Sequence, residues 1–141
     1  MLTLANFVPY RLSVVSNAIS DRVARVYKVR FGLKIPEWRV IAVVAERCSL
    51  TQAGLCEATA MDKMTVSRAV AGLLARGLLR LSSGADRRTR MLALTADGQA
   101  LYDAVAPLAL AIEAEVLRGF SDAERNTLMA FLARLEGCEK S

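Results

Sequence analysis

Apolar residues recur along the first part of the chain with the period of a helix. Val8, Leu12, Val15, Ile19, Val23 and Val26 follow at spacings of four, three, four, four and three. They form one stripe along a predicted helix of about 25 residues. Asn6 is placed to cap it, Pro9 fits its first turn, and Gly32 is placed to end it. Pro36 at a first helical position opens a second helix from Glu37 to Arg47, with Val40, Ile41, Val43 and Val44 on its buried face. Thr51 caps a short third helix reaching Ala58, and Asp62 caps a fourth that runs to Arg76 and is closed by Gly77. The fourth helix turns Val66, Val70, Leu73 and Leu74 inward. Its other face carries Met64, Thr65, Ser67, Arg68 and Ala71, which apart from Met64 and Arg68 are small. Two apolar runs, Leu78 to Leu81 and Met91 to Leu94, flank a polar loop from Ser82 to Arg90 and predict a hairpin. Thr95 caps a fifth helix with the stripe Leu101, Val105, Leu108, Ile112 and Val116, and Pro107 is expected to kink it. Ser121-Asp122-Ala123-Glu124 is a capping box for a last helix, whose Leu128, Phe131, Leu132 and Leu135 fit a buried face.

The expected fold is mainly α: a winged helix-turn-helix with a short β-hairpin wing and long N- and C-terminal dimerisation helices. Residues 1–141 make one domain, with a DNA-binding lobe over 34–95 and dimerisation helices over 6–32 and 96–137. A helix can enter the DNA major groove, and an arginine-tipped hairpin can reach the neighbouring minor groove. Short hydroxyl side chains at Thr65 and Ser67 let the helix backbone approach base edges, and Arg68 can bond a guanine edge or a phosphate. Ordinary capping at a helix start accounts equally well for the two hydroxyls. In the loop, Gly84 permits a turn, and Asp86 beside Arg87 and Arg88 can hold a guanidinium extended. A braced arginine loses less side-chain entropy on entering a narrow, electronegative minor groove.

Charge sharpens this picture. The net charge is +5. Residues 61–90 carry seven basic groups and two acidic ones, whereas residues 91–141 carry four basic and eight acidic. A basic block bordered by an acidic tail fits a polyanion partner, with a solvated basic face as the plainer reading. Hydrophobic residues make up 54% of the chain, and mean hydropathy is +0.31. That is apolar for so small a chain, and a buried subunit interface accounts for it. A membrane span does not: the longest stretch free of charge, Met1 to Tyr10, is half the length a spanning helix needs. No basic signal-peptide start precedes the first helix, and a reduced cytoplasmic protein is expected. Cys48, Cys56 and Cys138 show no metal-ligand spacing. Cys48 and Cys56 are expected inside the lobe as small apolar residues, and Cys138 can pair between subunits. The absence of histidine removes the commonest general base and most zinc sites. No catalytic, metal or cofactor site is expected. Glu113 and Glu115 read as a solvated face.

The ordered set of Pro36-Glu37-Trp38-Arg39-Val40, Leu50-Thr51-Gln52, Met64-Thr65-Val66-Ser67-Arg68, Leu74-Ala75-Arg76-Gly77-Leu78, Asp86-Arg87-Arg88 and Leu94-Thr95-Ala96-Asp97-Gly98 resembles the MarR family of bacterial transcriptional regulators. The resemblance implies a homodimeric repressor on a pseudo-palindromic operator in double-stranded DNA. It implies Thr51, Gln52, Lys63, Thr65, Ser67, Arg68, Asp86, Arg87, Arg88 and Arg90 as DNA-contacting residues, with Arg88 at the wing tip and Asp86 as its brace. It also implies release by a small aromatic or phenolic acid, for which Tyr10, Arg11, Trp38 and Arg39 are the candidate lining. Packing as a core anchor is the other reading of Trp38. The first helix lacks the early cysteine of the family's peroxide sensors, so that mechanism does not carry over. A winged helix that binds only other proteins remains the alternative from a different class.

Overall fold

The computed structural model describes residues 1–83, 86 and 88–138, the side chain of residue 138 excepted. A 3-10 turn at Leu4–Asn6 leads into α1 (Val8–Phe31), followed by α2 (Ile35–Arg47), α3 (Gln52–Thr59) and α4 (Lys63–Ala75). Strands β1 (Leu79–Ser83) and β2 (Arg90–Leu94) then form the hairpin, and α5 (Ala96–Val116) and α6 (Asp122–Cys138) close the chain. The predicted winged helix-turn-helix is therefore present in full order, with long helices at both ends.

Local chemistry sets most boundaries. The Thr51 hydroxyl accepts from the Gly54 N–H at 3.0 Å, and Asp62 Oδ1 accepts from the Thr65 N–H at 2.8 Å. Thr95 does the same for the Gly98 N–H at 3.0 Å. At the last helix, the Ser121 N–H donates to Glu124 Oε1 at 2.9 Å, and the Glu124 N–H donates to Ser121 Oγ at 3.1 Å. This is the reciprocal pairing that the sequence motif predicts. Gly32 ends α1 at φ +64°, and Gly77 follows α4 at φ +70°. The first cap differs from expectation. Asn6 closes the 3-10 turn, donating its own N–H to Thr3 O at 3.0 Å, and Phe7 takes the N-cap position without a side-chain cap.

β1 and β2 pair antiparallel, with Leu79 opposite Leu94, Leu81 opposite Leu92 and Ser83 opposite Arg90. Leu50 adds a one-residue third strand. Its N–H donates to Leu92 O at 3.2 Å, and the Leu92 N–H returns a bond to Leu50 O at 2.8 Å. The hairpin base is thereby stitched to the turn before α3.

The core lies in the lobe, where Val40, Ile41 and Val44 of α2 meet Leu55, Val66, Leu73 and Leu92. The flanking helices enter it through Ala24 and Tyr27 of α1 and Val105 of α5. Beyond that point their apolar stripes lie open. Val8, Leu12, Val15 and Ile19 on α1 and Leu128, Phe131 and Leu135 on α6 are exposed, Phe131 by 52%. Among the described residues, then, the last helix has no buried face of the predicted kind. Glu113 and Glu115 are half-exposed and each is ion-paired, with Arg125 and Arg22 respectively, both at 2.9 Å. Surface pairs of this kind contribute little. No helix among the described residues is long and apolar enough to cross a membrane.

Cys48 departs from expectation. It is exposed, at φ +69°, in a tight turn closed by the Ser49 N–H on Arg47 O at 2.8 Å. The chain leaves α2 there on the surface, so the thiol faces solvent. Cys56 is half-buried, as a small apolar residue would be.

Candidate nucleic-acid interface

The α4 helix is built to show one face. Val66, Ala69, Val70 and Leu73 are buried against the lobe, so Lys63, Met64, Ser67, Arg68 and Ala71 face outward. At its start the Asp62 carboxylate takes two bonds from Thr65, the backbone N–H at 2.8 Å and the hydroxyl at 2.9 Å. Those bonds, the backbone one foremost, hold the Asp62 carboxyl below its usual range. The Thr65 hydroxyl is therefore engaged in capping, while Ser67 and Arg68 remain free to reach outward. Thr51 is likewise committed to capping α3, and Gln52 is exposed beside it in the first turn.

The hairpin carries Arg88 and Arg90, both exposed. Gly84 and Arg87 lie outside the described residues. Asp86 closes a turn in this loop. Its Oδ1 accepts from the backbone N–H of Arg88 at 3.1 Å, and its carbonyl accepts from the Thr89 N–H at 2.9 Å. The ion pairs among the described residues do not include an Asp86–Arg88 guanidinium contact. A short side chain two residues before an N–H closes a turn on it more readily than it reaches a long arginine.

Two of the cavities among the described residues are lined by α2. One, of about 180 Å³, lies where α1 meets α2 and is lined by Trp38 and Arg39 with Ile19, Ser20, Val23, Tyr27 and Ile35. Trp38 is both a packed aromatic and a lining residue. Its ring sits 5.6 Å from that of Tyr27 and 5.9 Å from that of Tyr102, joining α1, α2 and α5. Burial pushes the Tyr27 phenol above its ordinary pKa, opposed by Arg39 and reinforced by Asp21. Tyr10 and Arg11 are not part of this cavity. They lie about two turns nearer the start of α1 than Ile19, and Arg11 donates to Ala5 O at 2.9 Å. Trp38 and Arg39 are thus the two candidate residues that line this cavity; Ile19, Ser20, Val23, Tyr27 and Ile35 line it too, and the i, i+3 spacing of Tyr27 from Ala24 marks it in sequence only as core.

The second cavity, of about 290 Å³, lies between the start of α2 and α4. Lys34, Pro36, Glu37, Thr65, Arg68, Ala69 and Gly72 line it. Glu37 is 8% exposed, and its Oε1 accepts from the Lys34 N–H at 2.9 Å. Gly72 makes room for it, since a Cβ there would stand 2.8 Å from Glu37 Oε2. The sequence signal for Glu37, a glutamate three residues after a helix start, was present in the Lys34 to Glu37 spacing.

Residues 31–89 match the sequence model of the MarR family. The transcriptional regulator HosA of Escherichia coli O157:H7 is 32% identical over 100 residues, covering 70% of this chain and 73% of HosA. In three dimensions the chain matches a MarR/EmrR family transcriptional regulator from Acinetobacter sp. ADP1 with a TM-score of 0.91, at 24% identity over 99% of each chain. It also matches Bordetella bronchiseptica BpsR, whose DNA binding is regulated by 6-hydroxynicotinic acid, with a TM-score of 0.85 at 25% identity, covering 96% of this chain and 97% of BpsR.

Proposed function

Because the chain belongs to the MarR family of transcriptional regulators, we propose that it is a homodimeric, sequence-specific DNA-binding repressor. It acts in the cytoplasm and is released from its operator by a small aromatic or phenolic acid. The observation that carries the reading is the shared exposure of Ser67 and Arg68 on α4 with Arg88 and Arg90 on the hairpin, on a lobe of their own. Residues 34–95 read the DNA, and residues 6–32 and 96–137 supply the dimer. The exposed stripes of α1 and α6 support the second copy, since apolar faces of this extent mark association surfaces. Two-fold symmetry places the recognition helices in successive major grooves, about 10 bp apart. Ser67 and Arg68 contact base edges, Lys63, Gln52 and Arg90 the backbone, and Arg88 the minor groove. Arg87 joins them by its place in the sequence. Thr51, Thr65 and Asp86 act through the turns they hold.

The cavity beside Trp38 and Arg39 is the proposed acid site. A guanidinium beside the Tyr27 and Trp38 rings suits an aromatic ring that carries a carboxylate, and the DNA binding of BpsR is regulated by a compound of that kind. The test is fluorescence anisotropy on the duplex upstream of this protein's own gene, beside a shuffled duplex, from about 50 to 200 mM salt. A preference of about 10³-fold or more for the upstream duplex supports the reading. Equal, steeply salt-dependent binding to both refutes sequence-specific recognition at that site. Absence of binding at low salt favours a protein-interaction role.

A further inference from the structure

Most of the exposed apolar residues lie on the arms, where a second copy can cover them. Met64 does not. It stands in the first turn of α4, and at 65% exposure it is the most exposed large hydrophobic side chain among the described residues of the lobe. A single exposed methionine is ordinary on a protein surface; its place on this helix is not. At about 100° per residue, Met64 lies about 180° from Leu73 and about 160° from Val66, both fully buried. It therefore marks the middle of the outward face. Ala71 and Ala75, both exposed, lie within about 20° of the same line. Arg68 stands about 40° to one side and Ser67 about 60° to the other, with Lys63 farther round beyond Ser67.

A helix that faces only water is expected to be most polar along its outward midline. On α4 the order is reversed, apolar at the centre and polar at the flanks. The DNA major groove has the matching order. Base edges form its floor and phosphates its walls, and the C5 methyl of thymine is the apolar group on that floor. A helix lying in the groove sets its midline on the floor and its flanks toward the walls. Met64 is also at the N-terminal end, which in helix-turn-helix proteins is the end that touches base edges. Its side chain is unbranched and adaptable, so it can seat a methyl without demanding a fixed geometry. Cytosine offers an amino donor and no methyl at the same place, against a thioether that is only a weak acceptor.

We propose that Met64 is a specificity-determining residue of α4, reading the C5 methyl of a thymine in each half-site of the operator. The inference rests on the DNA-binding reading above and adds a base identity to it. Arg68 stands one turn along the same helix, about 6 Å away at 1.5 Å per residue, so the methyl lies within about two base-pair steps of the pair that Arg68 reads. Recognition through the methyl alone also means that 5-methylcytosine stands in for thymine at this position, where cytosine does not.

The test uses the full chain and the duplex that it selects from a random-sequence pool. Each thymine of that duplex is replaced in turn by deoxyuridine, which removes the C5 methyl and nothing else, and affinity is read by anisotropy at fixed salt. One thymine per half-site is expected to give a loss of about fourfold, the worth of one buried methyl, and both together about fifteenfold. Met64→Ala is expected to melt with wild type, because the side chain is outside the core, and to bind the thymine and uracil duplexes within about twofold of each other. At the same position 5-methylcytosine is expected to bind wild type about fourfold more tightly than cytosine does. A selected duplex on which no uracil replacement weakens binding refutes the methyl reading and leaves the specific-reader claim standing. A uracil penalty that persists in Met64→Ala assigns the methyl to another side chain and refutes the role of Met64. Equal losses by Met64→Ala on the selected and a shuffled duplex make the residue a backbone contact and refute it too. Selection that enriches no sequence refutes sequence-specific binding itself, and the assignment of Met64 with it.

Discussion

The Thr95 hydroxyl joins α5 to the end of α4, and removing it measures how firmly. Its Oγ1 accepts from the Gly98 N–H at 3.0 Å and donates to Gly77 O at 2.6 Å, so one atom caps α5 and ties it to the end of α4. The perturbation is Thr95→Val, which keeps the β-branched shape and deletes both bonds. Loss of an N-cap costs about 1 kcal/mol. Loss of the Gly77 bond adds about 0.5–1 kcal/mol, at the low end because the pair is exposed. The sum is about 1.5–2 kcal/mol, or a fall in Tm of about 5–8 °C for a domain of this size. The assay is thermal and urea unfolding followed by circular dichroism. Protein concentration is held fixed, since a dimer's Tm depends on it. Thr95→Ser retains the oxygen and is expected to recover most of the loss. Stability of Thr95→Val within about 0.5 kcal/mol of wild type, or equal damage from Thr95→Ser, would refute the assignment of the effect to this hydroxyl.

Arg68→Ala is expected to weaken operator binding by about 1–3 kcal/mol and relax preference at one base pair; anisotropy on single-base operator variants that shows a uniform loss instead would assign Arg68 to the phosphates. Phe131→Asp places a charge on the open face of α6 and is expected to shift the protein toward monomer in sedimentation, and an unchanged dimer would place the interface elsewhere. The Asp62 carboxyl is held low in the folded state, so its contribution is present above its unfolded pKa and is lost as pH falls through the folded value. Asp62→Asn keeps a capping oxygen and is expected to flatten stability between about pH 5 and pH 2 relative to wild type; identical acid unfolding curves would count against that linkage.

What the sequence reveals here depends on how far apart the interacting groups lie. The caps at Thr51, Asp62, Thr95 and Ser121 are legible because donor and acceptor sit three residues apart, and the backbone brings them together wherever a helix begins. Asn6 is misplaced because a 3-10 turn and a helix start are alike at the level of residue type. The bridge from Leu50 to Leu92 is invisible for the opposite reason, since a single-residue strand has no alternation to read. Exposure of Cys48 follows from a backbone turn at positive φ, which a cysteine does not advertise. At the candidate interface the outward face of α4 is read correctly from its periodicity. The burial of Glu37 depends on Gly72 of another helix making room, and neither residue announces the other.

Gly98 has a mechanical consequence. It lies in the first turn of α5, and a Cβ there would overlap the carbonyl oxygen of Leu78. The helix is thus seated on the lobe at a point that admits no side chain. From that fulcrum α5 continues to Val116, about 28 Å at 1.5 Å per residue. A tilt of about 10° at the fulcrum sweeps the far end through about 5 Å, more than the roughly 3.4 Å separating successive base pairs. In the dimer proposed above, a substitution at this glycine would therefore act as a gear change, converting a displacement smaller than a methyl group into a different distance between the two lobes and a different length of DNA between the sites they can hold.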